Sequence, residues 1–391
     1  MNKVSIEIIS GLGGKDPAAI LVVTKTHHIL LDAGGVLEQD APLWEMPSRI
    51  DAVLLSHDHF DHIGNVANLP SGVPIYCSQV TAETLESQET LNLHIIPIRG
   101  EFYLGDTRII TGANGHAFGG MWFHLDCAGG LFFSGDISLE SLLYRFDPPP
   151  KARIALLDAS YGRYNISQEQ LRLALSDVLD QSILFPVPPS GRAVEMALWL
   201  SEMGQEEIGM DHESLQMLTT MIRSNDGSLQ PAVIKRLEAL APQLIDVTSL
   251  LLEQDGNNGS KGLPPIILAG DPDGVQGISG QLRRLPEFSH RTIFTGYCDA
   301  KAREELLRGE VDFMRWNVHP TLDSLQKLIG VLGCCDVVPL FTSIDDISLW
   351  EMALGTTIHI NSLVLDETNA LQKQGLEDLL CKRNLGNAIT E

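Results

Sequence analysis

Three imidazoles and two carboxylates fall within the run His57-Asp58-His59-Phe60-Asp61-His62, directly after the apolar segment AVLLS at 52–56. Neutral imidazole and carboxylate are donors suited to Zn²⁺ or Mn²⁺. A regular helix or strand would splay these side chains apart, whereas a strand end feeding a loop can turn them into one cavity. The spacing H-x-H-x-D-H therefore reads as a cation site. The plainer alternative is a polar loop that happens to be rich in histidine, but composition alone produces the pattern in roughly one such chain in a thousand. Two further elements follow. His116 lies in the glycine-rich turn GANGHAFGG ahead of an apolar strand, and Asp136 ends the strand LFFSGD. Alone, each would be an ordinary structural histidine or turn aspartate. Their order and context behind the first motif make them candidates for more than that.

In sequence, Asp32, then His57, His59, Asp61 and His62, then His116, then Asp136 resemble the motifs of the metallo-β-lactamase superfamily. The resemblance implies an α/β fold, an αββα sandwich with two divalent metal ions on one edge, Zn²⁺ expected and Mn²⁺ the alternative. One metal would take His57, His59 and His116, the other Asp61 and His62, with Asp136 bridging them. Two cations about 3.5–4 Å apart share a water, lower its pKa and hold it as hydroxide against an electrophile. They also stabilise the oxyanion developing on a phosphoryl or carbonyl oxygen. Asp58 is not a family ligand. It reads either as a carboxylate orienting a ligand imidazole or as a solvated loop residue.

A longer stretch, GHAFGGMWFHLDCAGGLFFSGDIS, resembles the β-CASP branch, which includes RNA-processing, RNA-degrading and DNA-repair nucleases. Asp158-Ala159-Ser160-Tyr161-Gly162 looks like its acidic motif and Gly191-Arg192-Ala193-Val194-Glu195 like its G-R-A-x-E helix start. Thr295-Gly296-Tyr297 looks like its T-G-Y strand end, and Asn317-Val318-His319 like its S-x-H motif. The resemblance counts Asp61, Asp158 and His319 as catalytic. An imidazole held by a carboxylate can donate a proton to a leaving oxygen, and the bland readings are a strand-capping carboxylate and a structural histidine before Pro320. Arg192, at a helix start, is a candidate phosphate contact, or else a structural partner of Glu195.

The chain also departs from the branch. Where a last metal-binding histidine is expected, the sequence reads Val337-Val338-Pro339-Leu340-Phe341-Thr342, with Phe341 at the histidine's place. Asn317 replaces a serine, and Thr321 stands near the usual acidic residue. His359, in TTIHIN, is the remaining downstream histidine and reads as an ordinary strand residue. A weak second metal site is the expectation.

Short apolar runs at 20–24, 28–34, 52–56, 74–78, 107–112, 121–127, 130–136 and 154–160 predict strands, with short helices around LESQETL. After Ser160 the texture becomes helical, at 167–182, 191–204 and across 211–253, then a loop at 253–265. Strands return at 265–270 and 292–297, and a helix is predicted over 321–332. This alternation points to a small parallel-sheet subdomain. The expected domains are 1–181 and 317–391 as the two parts of the metallo-β-lactamase domain, with an inserted β-CASP-like α/β domain at 182–316.

The 391 residues carry a formal net charge of −24, which opposes wide duplex binding but not a short single strand entering a metal-lined cleft. The N-terminal MNKVSIEIIS reads as a first strand rather than a signal peptide, and no apolar run reaches membrane-spanning length. Cys77, Cys127, Cys298, Cys334, Cys335 and Cys381 lack C-x-x-C spacing and read as free thiols in the cytoplasm. The expected activity is that of a metal-dependent phosphodiesterase or nuclease on single-stranded nucleic acid, RNA favoured, or on a nucleotide-like substrate. The alternatives are a hydrolase of small esters, thioesters or lactams, and a catalytically weakened assembly partner.

Overall fold

Apolar runs such as Ile29-Leu30-Leu31 and AVL have no polar face to turn to water, so they need burial on both sides of a sheet. A computed structural model, describing residues 3–37, 43–85, 90–224, 226–253, 262–296 and 298–366, shows where both sides go. Ile29, Leu31, Ala52 and Leu54 enter one core, while the alternate residues Leu30, Val53 and Leu55 enter another on the opposite face.

The chain divides into two compact units, one of Met1–Leu139, Phe146–Asn165 and His319–Glu391, the other of Glu140–Arg145 and Ile166–Val318. In the first unit, one seven-stranded sheet runs in the order Leu363–Asp366, Lys3–Ser10, Ala19–Val23, His28–Leu31, Ala52–Leu54, Pro74–Cys77, Asn92–Ile95. The other runs Thr357–Ile358, Asp336–Leu340, Ile154–Asp158, Leu131–Phe133, Met121–Leu125, Thr107–Ala113, Gly100–Leu104. Phe123, Leu125, Phe133 and Leu156 of the second sheet meet Ile6, Ile20 and Leu31 of the first between the layers. The second sheet's outer face packs Phe132 and Leu157 against Leu325, Leu328 and Leu332 of the helix Leu322–Leu332, with Trp350 and Leu354 of Ile347–Leu354 beside them. The first sheet's outer face is covered by Ile63, Val66, Ala82 and Leu85. This is the αββα sandwich. Each fully buried large apolar side chain contributes roughly 1.5–3 kcal/mol to it.

The second unit holds a six-stranded sheet in the order Ile245–Asp246, Ile208–Met210, Ile266–Ala269, Ile183–Pro186, Arg291–Phe294, Asp312–Phe313, parallel throughout. The helix Gln168–Ser176 is grouped with this unit. That helix stops short of 182, and the next residues form the strand Ile183–Pro186. The helical stretch expected over 211–253 is three helices, His212–Ser224, Val233–Leu240 and Val247–Glu253. Pro231 and Pro242 lack the amide that a continuous helix needs. Glu86–Glu89 of LESQETL, residues 254–261 of the 253–265 loop, Tyr297 and Cys381 lie outside the described residues.

Candidate metal centre

Parallel strands in both sheets of the first unit bring their carboxyl ends to functional positions. Asp32 follows His28–Leu31, Ser56 and His57 follow Ala52–Leu54, Asp136 follows Leu131–Phe133, Asp158 closes Ile154–Asp158, and Phe341 follows Asp336–Leu340. Two glycines let the intervening loops close up. A Cβ on Gly34 would lie 1.9 Å from the Asp61 carbonyl oxygen, and one on Gly135 would lie 2.6 Å from Ser56 Cβ.

Asp32 anchors the centre. It is wholly buried, with a left-handed backbone at φ 57°. Its carboxylate accepts from Ser56 N, Ser56 Oγ and His62 Nδ1, each at 2.7 Å. The single hydroxyl hydrogen of Ser56 goes to Asp32, so His57 Nδ1–H donates to Ser56 Oγ at 2.9 Å. In neutral form both rings are then left with an unprotonated Nε2. His62 Nε2 stands 3.3 Å from Asp136 Oδ1, and His57 Nε2 stands 3.9 Å from Asp136 Oδ2. Buried His57 Nε2 makes no hydrogen bond, the signature of a lone pair that a cation would satisfy.

His59 precedes the short helix Phe60–Ile63, and its Nδ1 lies 3.2 Å from His116 Nε2, which is 3.5 Å from Asp136 Oδ2. Asn114 Oδ1 accepts from His116 N at 2.9 Å and sets that turn. Among the described residues, three donor groups have ligand atoms within 4.8 Å of one another: His57, His59, His116 and Asp136; Asp61, His62 and Asp136; and Asp136, Asp158 and His319. Burial pushes His57 well below its ordinary pKa and lowers His59 too. At His62 burial acts in the same direction, but Asp136 and Asp32 outweigh it and hold the ring well above its usual value. Burial would raise Asp136, yet His62, His319 and His116 keep it well below the carboxylate range. The first group thus offers the neutral imidazoles of His57 and His59 beside the ionised carboxylate of Asp136, with His116 as a further nitrogen donor, and the residues present fit a divalent cation.

Asp158 accepts from Ile137 N at 3.1 Å and Ser160 N at 2.9 Å, and its Oδ2 holds His319 Nδ1 at 2.8 Å. The His319 ring faces His116 at a centroid distance of 4.9 Å. The sequence placed these two residues in one role, and the fold puts them in hydrogen-bond contact. Asp58 instead accepts from Thr84 Oγ1 at 3.3 Å, while Asp32 is the carboxylate that orients a donor imidazole. Ser56 and Asn114 went unnoticed in the sequence because neither belongs to a ligand pattern. Phe341 is buried, with its ring 5.5 Å from the His62 ring. His359 Nε2 lies 2.8 Å from Asp336 Oδ1 and enters none of the donor groups. Arg192 opens the helix Arg192–Glu202 in the second unit, where a Cβ on Gly296 would meet its Nη1 at 2.1 Å. Glu195 of that helix accepts from Ser141 Oγ, Leu142 N and Trp316 Nε1.

Residues 27–139 match the family described as a beta-lactamase superfamily domain. The transcription termination factor FttA of Lokiarchaeum sp. (strain GC14_75) is 26% identical over 238 residues, 47% of this chain and 37% of that protein. The endoribonuclease YSH1 of Gibberella zeae is 25% identical over 237 residues, 46% of this chain and 28% of that one. Ribonuclease TTHA0252 of Thermus thermophilus is 28% identical over 177 residues, 37% of this chain and 41% of that one. The matched stretches therefore span less than half the length of these curated relatives. A protein of unknown function from Enterococcus faecalis V583 shares the fold, with TM-score 0.61 and 15% identity over 93% of this chain and 100% of that one. Among the described residues, no helix is long and apolar enough to cross a membrane. This chain has the metallo-β-lactamase fold and resembles the β-CASP nuclease branch of that superfamily.

Proposed function

We propose that this protein is a metal-dependent phosphodiesterase acting on single-stranded nucleic acid, RNA favoured over a nucleotide-like substrate. The observation that carries the reading is the contact between His319 Nδ1 and Asp158 Oδ2, with His319 Nδ1 itself 3.7 Å from the shared donor Asp136. Two divalent cations, zinc in the first place, supply Lewis-acid polarisation and a lowered water pKa when bound at such a site. His57, His59, His116 and Asp136 would hold one, and Asp61, His62 and Asp136 the other. The protein's own part is to place a proton donor. With Nδ1 committed to Asp158, which fixes the ring's orientation, His319 has Nε2 left to protonate a leaving oxygen. A thiolate leaving a thioester needs such help less than an alkoxide leaving a phosphodiester. The ribonuclease and endoribonuclease names of two relatives support the same substrate class.

The inserted unit, expected at 182–316 and outlined by contacts as 140–145 and 166–318, is proposed as the part that grips the polymer, with Arg192 a phosphate contact. The free thiols of Cys77, Cys298 and Cys334 support a reducing, cytoplasmic setting. The test is a parallel assay of bis-p-nitrophenyl phosphate, labelled RNA and DNA oligomers, and thioesters with metal-analysed protein. Cleavage of RNA oligomers is expected to lead. Thioester turnover without phosphodiester cleavage would overturn the reading.

A further inference from the structure

The two cation positions have different donors around them. His57, His59 and His116 give the first three imidazole nitrogens, and Asp136 adds a carboxylate oxygen, a full four-donor set of the kind zinc takes. Asp61, His62 and the shared Asp136 give the second one nitrogen and two carboxylates. Asp32 holds His62 Nδ1, so His62 can offer only Nε2. Phe341 packs against His62, its ring edge-on at 72° and without any donor atom. That ring is locked in place. Phe341 N donates to Gly11 O at 2.8 Å, and a Cβ on Gly11 would come within 3.2 Å of Phe341 Cε1.

We infer that the two positions are chemically unequal: the first retains Zn²⁺ tightly, while the second, walled by Phe341, is a weak, oxygen-rich site that exchanges with the medium and accepts Mn²⁺. Oxygen donors and open positions suit hard cations such as Mn²⁺, whereas imidazole-rich sites suit Zn²⁺. The second position therefore discriminates less between the two ions than the first. Its occupancy follows the free cation level, so any activity needing both ions would rise and fall with it. The inference rests on the metal-centre reading above and names a property of that centre.

The experiment uses full-length protein stripped of metal, loaded with excess Zn²⁺ and desalted. About one zinc per chain is expected to remain. Titration of this one-zinc protein with Mn²⁺, followed by loss of the free-ion electron paramagnetic resonance signal, is expected to show one further site without release of zinc. Asp61→Asn should abolish the Mn²⁺ binding and keep the zinc. Phe341→His adds a nitrogen donor, and histidine tolerates the left-handed backbone at φ 63° better than phenylalanine does. It should tighten Zn²⁺ at the second site by about tenfold or more relative to Mn²⁺. If that variant fails to fold, the unmodified protein and Asp61→Asn decide alone. Two zincs retained through desalting, or one zinc and no Mn²⁺ binding, would overturn this inference and leave the metal centre standing. No zinc retained at all would overturn both.

Discussion

Asp32 and His62 lie thirty positions apart in the chain and meet inside it, Oδ2 to Nδ1 at 2.7 Å with both side chains buried. The contact fixes which nitrogen His62 presents to Asp136. Because Asp32 also receives both donors of Ser56, one carboxylate sets the orientation of His62 directly and of His57 through the serine hydroxyl.

Asp32→Asn tests that arrangement with little backbone disturbance, since asparagine tolerates the left-handed conformation at φ 57°. One oxygen cannot serve three donors, so an orienting bond is lost. Cation affinity at the position shared by Asp61 and His62 should fall about 10–100-fold, the usual effect of removing a ligand's supporting bond. Calorimetric titration with Zn²⁺ and Mn²⁺ reads it. Unchanged affinity at both positions would show that Asp32 does not orient the donors.

His59→Ala and Asp136→Ala remove donors from the four-residue group, and Asp136→Ala removes one from all three groups. Both should lower bound metal and abolish hydrolysis, measured by elemental analysis beside turnover. Full activity in stripped protein under continued chelation would falsify the metallohydrolase reading.

Asp158→Asn and His319→Ala should slow phosphodiester cleavage by roughly 10²–10⁴-fold, the range for a positioned general acid. Metal content should stay near that of the unmodified protein, because the pair is assigned to proton transfer. Loss of a metal equivalent in His319→Ala would make this histidine a ligand instead, in keeping with the group it forms with Asp136 and Asp158.

Glu195 is buried and accepts from Ser141 Oγ, Leu142 N and Trp316 Nε1. Glu195→Ala leaves buried donors unmatched and should lower the unfolding free energy by about 3 kcal/mol. Glu195→Gln keeps one acceptor and should cost less. Chemical denaturation of both variants checks the order, and equal losses would contradict the hydrogen-bond account.

Burial pushes the Cys77 thiol up to about 12. A thiol held neutral in the fold but ionising normally when unfolded favours the folded state less as pH climbs. This contribution is intact below pH 9.0 and declines between there and about 12. Cys77 should resist alkylation at pH 9 until the protein unfolds. Rapid labelling in the native state, mapped by mass spectrometry, would refute this.

The donors themselves were legible in the sequence because His57, His59, Asp61 and His62 sit within one strand-to-loop junction, where local spacing alone brings ligands together. The strands around them were legible for the same reason. HILL, MWFHL and IALLD are apolar but for one residue each, as central strands buried on two faces are. Edge and polar strands such as Asn92–Ile95 and Gly100–Leu104 were missed, because half-exposed residues leave no such run. Ile183–Pro186 was missed as well, too short to stand out beside the helices on either side of it. That Phe341 stands at an expected histidine's place was legible from the motif order, but that its ring packs edge-on against His62 and close to Gly11 is a matter of packing. The tautomer of His57 depends on where a single serine hydrogen goes, and the Asp158–His319 contact closes a span of 161 residues. Spacing along a chain specifies which groups are present. Which nitrogen faces which oxygen is decided when parallel strands from two sheets bring their carboxyl ends to one edge.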